Sequence, residues 1–225
     1  MSTGSSDTWL IVPLYNEATV VRSVIESARA SFHNVVCVDD GSQDESVFEA
    51  LAAGATVLRH PINLGQGAAL QTGIDFALAQ PGAEYFVTFD SDGQHRTEDA
   101  LRMVARLREE PLDIIVGSRF LDDRTNASRL KKAVLRLAVL FERVTTGVKL
   151  TDAHNGLRAL NRTAATKIRI TQNRMAHASE IVAQIGKKKI RYAEEAVQII
   201  YTDYSRAKGQ SLWNSVNILT ELFIK

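Results

Sequence analysis

The chain has 225 residues, 45% of them hydrophobic and 24% charged, with a formal net charge of +1. That balance excludes a disordered chain, gives no reason to expect nucleic acid as a partner, and suits one ordinary globular domain with a sizeable core. The single cysteine, Cys37, excludes a disulfide framework and a cysteine-based zinc site, no long apolar run marks a membrane span, and the polar start from Met1 to Asp7 lacks the blocks of a signal peptide, so a cytoplasmic protein is expected.

Trp9 to Pro13 is a short apolar run that predicts a first strand. Val20, Val21, Val24, Ile25 and Ala28 fall on one helical face. Val35 to Val38 predicts a second strand, stopped by the turn signal Asp39, Asp40, Gly41. Val47, Phe48 and Leu51 make a short helical stripe, and Thr56 to Leu58 predicts a third strand. Leu70, Ile74, Ala77 and Leu78 form the next helix face, behind Gly65 and Gly67. Tyr85 to Phe89 predicts a fourth strand. Thr97 is placed as a helix cap, with Glu98 and Asp99 in the first turn and Leu101, Val104 and Leu107 beneath. Ile114 to Val116 predicts a fifth strand. This alternation argues for an α/β fold, a mostly parallel central sheet covered by helices on both faces. Further on, Leu130 to Val144 reads as a basic, apolar helix. Leu157 to Leu160 and Ala196 to Tyr201 read as strands, with a helix from Ala176 to Ile185 between them. Leu212, Val216, Leu219 and Phe223 lie at the spacing of an amphipathic helix. No linker or repeat divides the chain, which is read as one domain over residues 9–211 followed by a helix over 212–225.

Parallel α/β sheets bind ligands at the carboxyl ends of their strands. The unusual polar residues collect there: Tyr15, Asn16 and Glu17 after the first strand, Asp39 and Asp40 after the second, Asn63, Gly65 and Gly67 after the third, Asp90, Asp92, Gln94 and His95 after the fourth, and Arg119 after the fifth. Asp90 and Asp92 are two residues apart, so extended backbone can turn both to one side, where their oxygens suit magnesium or manganese. The alternative is a turn before Thr97. Asp39 and Asp40 read either as an Asx turn or as acceptors for a base N–H and a ribose hydroxyl. The glycines of NLGQGAALQTG read as a plain turn or, less specifically, as a phosphate approach, because no Lys-Ser or Lys-Thr follows as in a P-loop. His95 reads equally as structural or as a ligand, and Cys37 as a buried core thiol. Lys187, Lys188, Lys189 and Arg191 read as a solvated helix end, or as contacts for anionic lipid heads.

In order, LIVPLYNE, VVCVDDGSQDES, NLGQGAALQTG, VTFDSDGQH and VGSRF, extended by TDAHNGLRALNR and YTDYSRAKGQS, resemble the family 2 glycosyltransferases of the GT-A fold, over about residues 9–211. The subgroup they look most like is the polyprenyl-phosphate (dolichyl-phosphate) mannosyl- and glucosyltransferases. The resemblance implies that Pro13, Tyr15 and Glu17 hold the nucleoside and that Asp40, with Asp39, binds base or ribose. It implies that Asp90, Asp92 and Gln94 hold Mg2+ or Mn2+ on the diphosphate of a UDP- or GDP-linked sugar. Arg119 matches a phosphate-contacting arginine, supplemented by Arg129, Lys131 and Lys132, with Lys208 a further candidate for a phosphate.

The implied reaction is an inverting displacement at the anomeric carbon, with charge gathering on the leaving nucleoside diphosphate. A lipid-phosphate acceptor is already anionic and needs no base. A saccharide hydroxyl in cell-surface polysaccharide synthesis needs one, for which Asp152 or Glu180 is available. A module that binds sugar nucleotides without turnover is the remaining alternative. Family members resembling this core carry membrane helices beyond it, so a small membrane protein partner and a peripheral position on the cytoplasmic face of a membrane are also expected.

Overall fold

The computed structural model describes residues 6–121 and 147–200. Among these, seven strands form one sheet: β1 (Thr8–Leu14), β2 (Asn34–Asp39), β3 (Thr56–Arg59), β4 (Tyr85–Thr88), β5 (Ile114–Ser118), β6 (Arg158–Asn161) and β7 (Tyr192–Ala196). The six helices are α1 (Val21–Arg29), α2 (Ser46–Ala52), α3 (Gln66–Leu78), α4 (Thr97–Glu109), α5 (Arg162–Lys167) and α6 (His177–Lys187). The strand order is β3-β2-β1-β4-β6-β5-β7. β6 runs antiparallel between β4 and β5, and every other pairing is parallel. The five strands expected from the first half therefore end on one edge of the sheet.

Buried side chains alternate along β1 because successive residues face opposite sides of a strand. Leu10, Val12 and Leu14 join the core beneath α1, α2 and α4, whereas Ile11 joins the core with α3, α5 and α6. Each fully buried aliphatic side chain contributes about 1.5–3 kcal/mol, so the two cores dominate the stability. α3 lies close on β1: a Cβ at Gly73 would collide with Cγ2 of Ile11. Cys37 is buried in β2 and its thiol is pushed up to about 12 by burial, so it is the inert core thiol expected.

Three expectations are corrected. The Val47–Phe48–Leu51 stripe does not face the core. Phe48 and Leu51 are 60% and 55% exposed, because α2 turns Ser46 and Ala50 inward, and Ser46 is needed for a polar bond described below. Thr97 is the first residue of α4 rather than its cap, and Leu101 is exposed while Met103 and Ala100 are buried. Among the described residues the last strand is β7 at 192–196, and 197–200 of the expected Ala196 to Tyr201 strand carry none. β7 carries Glu194 and Glu195, which pair with neighbours and hide it from an apolar scan. Lys187, Lys188, Lys189 and Arg191 are all exposed, as the solvated helix end was expected to be, with Lys188 Nζ on the Gln184 side chain and the Lys167 carbonyl and Arg191 in a two-point pair with Asp113. The basic helix expected from Leu130, with Arg129, Lys131 and Lys132, lies outside the described residues, as do Lys208 and the C-terminal amphipathic stretch.

Candidate active site

The loops after β1 and β2 are stitched together by side chains. Asn16 N–H donates to Ser42 Oγ at 2.9 Å, Glu17 N–H to Ser46 Oγ at 2.7 Å and Ala18 N–H to Asp44 Oδ2 at 3.1 Å, while Gln43 N–H returns a bond to Asn16 Oδ1 at 2.9 Å. Asn16 sits at φ 52°, a left-handed conformation that asparagine tolerates and that turns the chain from strand to helix. Glu17 is buried, and its carbonyl accepts the first N–H groups of the following helix. Tyr15 is exposed at the rim and Pro13 is buried in β1. The segment expected to hold the nucleoside is thus one braced corner at the carboxyl ends of β1 and β2.

Asp39 and Asp40 divide into separate roles. Asp39 is fully buried, with Oδ1 on Ser42 N–H and Oδ2 3.2 Å from Arg59 Nε. Asp40 accepts from His60 Nδ1, Leu64 N–H and Gly65 N–H at 2.8, 2.9 and 2.7 Å. Three internal bonds nearly fill a carboxylate's acceptor capacity. Through these bonds Asp40 braces the loop before α3. The ring of His60 spans from Asp40 to Thr72 Oγ1 and ties that loop to α3.

The glycines of the next loop serve the chain itself. Side chains at Gly65 or Gly67 would strike the backbone oxygens of Asn173 and Gln172, and Gly67 and Ala68 donate their N–H groups to the Asn173 carbonyl. The N-terminal amides of α3 are spent there rather than left for a phosphate, which agrees with the plain-turn reading.

Asp90 follows β4. Its Oδ1 accepts from Gln66 Nε2 at 3.0 Å and its Oδ2 from His95 Nε2 at 2.9 Å. Burial pulls the carboxyl upward, but the His95 hydrogen bond and the charges of His95 and Arg158 outweigh it, and Asp90 lies below the usual carboxylate range. Asp92 behaves oppositely. Burial and the charge of Asp90 push its carboxyl up to about 6, against one bond from Gln94 N–H. Two carboxylates whose mutual repulsion is relieved only by a proton or a cation have the chemistry a hard divalent ion needs, with further positions left for water and phosphate oxygens. The Gln94 carbonyl also accepts Ile200 N–H. Among the described residues no third His, Cys, Asp or Glu joins the pair as a metal-ligand cluster.

Arg119 and Asp152 meet each other. Arg119 Nε and Nη2 lie 2.6 and 2.7 Å from the two Asp152 oxygens, and Arg119 N–H donates to Oδ2 as well. Although burial opposes it, the adjacent guanidinium charge holds the Asp152 carboxyl below its usual range. A buried, ionised carboxylate spent on an arginine is a poor proton acceptor, and the pair holds Arg119 in place. Glu180 is engaged likewise, since its carboxylate accepts from Thr171 and Gln172. The 152–157 segment joins the two halves of the site, because Gly156 lies directly against the Asp90 carboxylate and Leu157 accepts Gly117 N–H.

Several contributors were not singled out as site residues from the sequence: Gln66, His60, Gly156, and Glu194, which accepts from Thr151 and Asp152 N–H groups beneath Arg119. Gln66 carried one signal, its place between two glycines. Glutamine itself has no chemistry that marks it in isolation.

The model of the family described as "Glycosyl transferase family 2" matches residues 9–169. An uncharacterized protein of Methanocaldococcus jannaschii is 32% identical over 222 residues, covering 96% of this chain and 91% of its own. UDP-N-acetylglucosamine–dolichyl-phosphate N-acetylglucosaminyltransferase of Methanococcus voltae is 28% identical, covering 96% and 94%. Polyprenol monophosphomannose synthase of Mycolicibacterium smegmatis is 26% identical, covering 96% and 84%. Among solved structures, glucosyl-3-phosphoglycerate synthase from Mycobacterium tuberculosis, in complex with Mg2+ and uridine diphosphate, superposes with a TM-score of 0.71 at 18% identity, covering 92% of this chain and 73% of its own. With the fold and a family match across most of the chain in agreement, the protein is a glycosyltransferase of the GT-A fold and belongs to glycosyl transferase family 2.

Proposed function

We propose that the chain transfers a sugar from a UDP- or GDP-linked donor to a polyprenyl phosphate, with inversion at the anomeric carbon. The observation that carries the reading is the Asp90–Asp92 pair at the carboxyl end of β4, one acid held ionised and the other pushed up to about 6. These carboxylates would hold Mg2+ or Mn2+, with Gln94 beside them, and the ion, when bound, would neutralise charge gathering on the diphosphate. The complex of the mycobacterial synthase with Mg2+ and uridine diphosphate supports this assignment. Asp39, Pro13, Tyr15 and Glu17 line the nucleoside corner. Arg119, aimed by Asp152, offers a fixed positive charge to a phosphate oxygen.

A lipid-phosphate acceptor is favoured over a saccharide hydroxyl by a specific observation. Both carboxylates considered as bases, Asp152 and Glu180, are occupied by internal donors. A phosphate monoester is already anionic near neutral pH and attacks without losing a proton. The acceptors in the names of the Methanococcus and Mycolicibacterium relatives support the same choice. No helix among the described residues is long and apolar enough to cross a membrane. The comparisons lend no support to a membrane protein partner.

The test is direct. Purified protein is incubated with labelled UDP- and GDP-sugars, Mg2+ or Mn2+, and either polyprenyl phosphate or a saccharide acceptor. Label in an acid-labile lipid monophosphate, lost on Asp92→Ala by about 100-fold or more, is expected. Label only in saccharide would overturn the acceptor, and transfer unaffected by chelation would overturn the metal.

A further inference from the structure

Asp40 and Asp90 stand at the ends of β2 and β4, strands separated in the sheet by β1. Three consecutive residues bridge them. Leu64 and Gly65 donate their N–H groups to Asp40, and Gln66 donates its side-chain amide to Asp90 Oδ1 at 3.0 Å. Gly65, at φ 107°, makes the turn that lets the chain do both, and next to it Gly67 and Ala68 are fixed on the Asn173 carbonyl. Gln66 therefore projects from the first turn of α3, where the backbone is pinned on both sides. Around Asp90 the enclosure has three walls: Gln66 on Oδ1, His95 on Oδ2, and Gly156, where even a methyl group would collide with the carboxylate.

We propose that Gln66 is a positioning residue, fixing the Asp90 carboxylate in the attitude that a divalent cation requires. This rests on Asp90 being a cation ligand. A carboxylate free to rotate must be ordered when it ligates, and one already held by a donor on each oxygen skips that cost. Oδ1 keeps a second lone pair for the ion while Gln66 occupies the first.

The test titrates Mn2+ into the intact chain in the presence of UDP and, separately, GDP, reading free Mn2+ by electron paramagnetic resonance. Gln66→Met keeps length and loses the donor, whereas Gln66→Asn keeps the amide and falls one methylene short. Both should raise the Mn2+ dissociation constant about tenfold or more. Gln71→Met is the control. It strips a glutamine from the same helix, with its bonds to Asp75 and Ile170 N–H, away from Asp90. It should lower the melting temperature and leave Mn2+ affinity within about twofold. Wild-type affinity in both Gln66 variants overturns the proposal, as does an equal loss in Gln71→Met, which would mean general loosening. Failure of the unmutated chain to bind Mn2+ with either nucleotide overturns the cation reading itself, and this proposal with it.

Discussion

Asp92 is the residue on which pH should act. Burial and the neighbouring Asp90 charge push its carboxyl up to about 6, and a cation takes only the ionised form. Mn2+ binding should therefore be about tenfold weaker at pH 5 than at pH 7 and level above that. A dissociation constant unchanged across this range would contradict the assignment. The sign for the cation-free fold runs the other way: the native state holds this proton more tightly than an unfolded Asp, so its contribution to stability declines as pH rises from about 4 to about 6. Asp152 supplies a second test at this scale. Asp152→Asn loosens Arg119 and should lower turnover by about 10–100-fold while leaving the shape of the pH–rate profile intact. Loss of the acidic limb of that profile would restore Asp152 as a base. Asp90 and Asp92 stood out in the sequence as two acids two residues apart after an apolar strand, a pattern that also serves turns, and it was the order of the surrounding strings that pointed to a cation. The Arg119–Asp152 pair was not, since 33 residues separate its members and only the fold brings them together.

The helices divide by how their cores are made. α1 buries Val21, Val24, Ile25 and Ala28, a regular stripe, and periodicity located it. α2 buries Ser46 and Ala50, so the apolar pattern pointed outward while its buried polar residue served the β1–α1 corner. α3 depends on smallness: Gly67 and Gly73 let it approach Asn173 and Ile11. Gly73→Val should overpack this contact at a cost of about 1–3 kcal/mol, lowering the melting temperature by several degrees. An unchanged melting temperature would contradict the close packing of α3 on β1.

Across the molecule, the alternation of strands and helices through residue 118 made the parallel sheet readable, and with it the edge where the ligand groups gather. The insertion of β6 between β4 and β5 was not readable, because strand order is decided by long-range pairing rather than by local pattern. That insertion matters for function: it carries the 152–157 segment into the site, setting Gly156 against Asp90 and Asp152 against Arg119. On the proposed function the edge of the sheet is one site, with the cation at Asp90 and Asp92 and the diphosphate toward Arg119. Crystals soaked with Mn2+ and UDP or GDP, measured for anomalous scattering from manganese, address it most directly. We expect a single strong peak within ligand distance of the Asp90 and Asp92 carboxylates, adjoining the nucleotide diphosphate. Nucleotide bound in the crevice with manganese elsewhere, or with none, would contradict it.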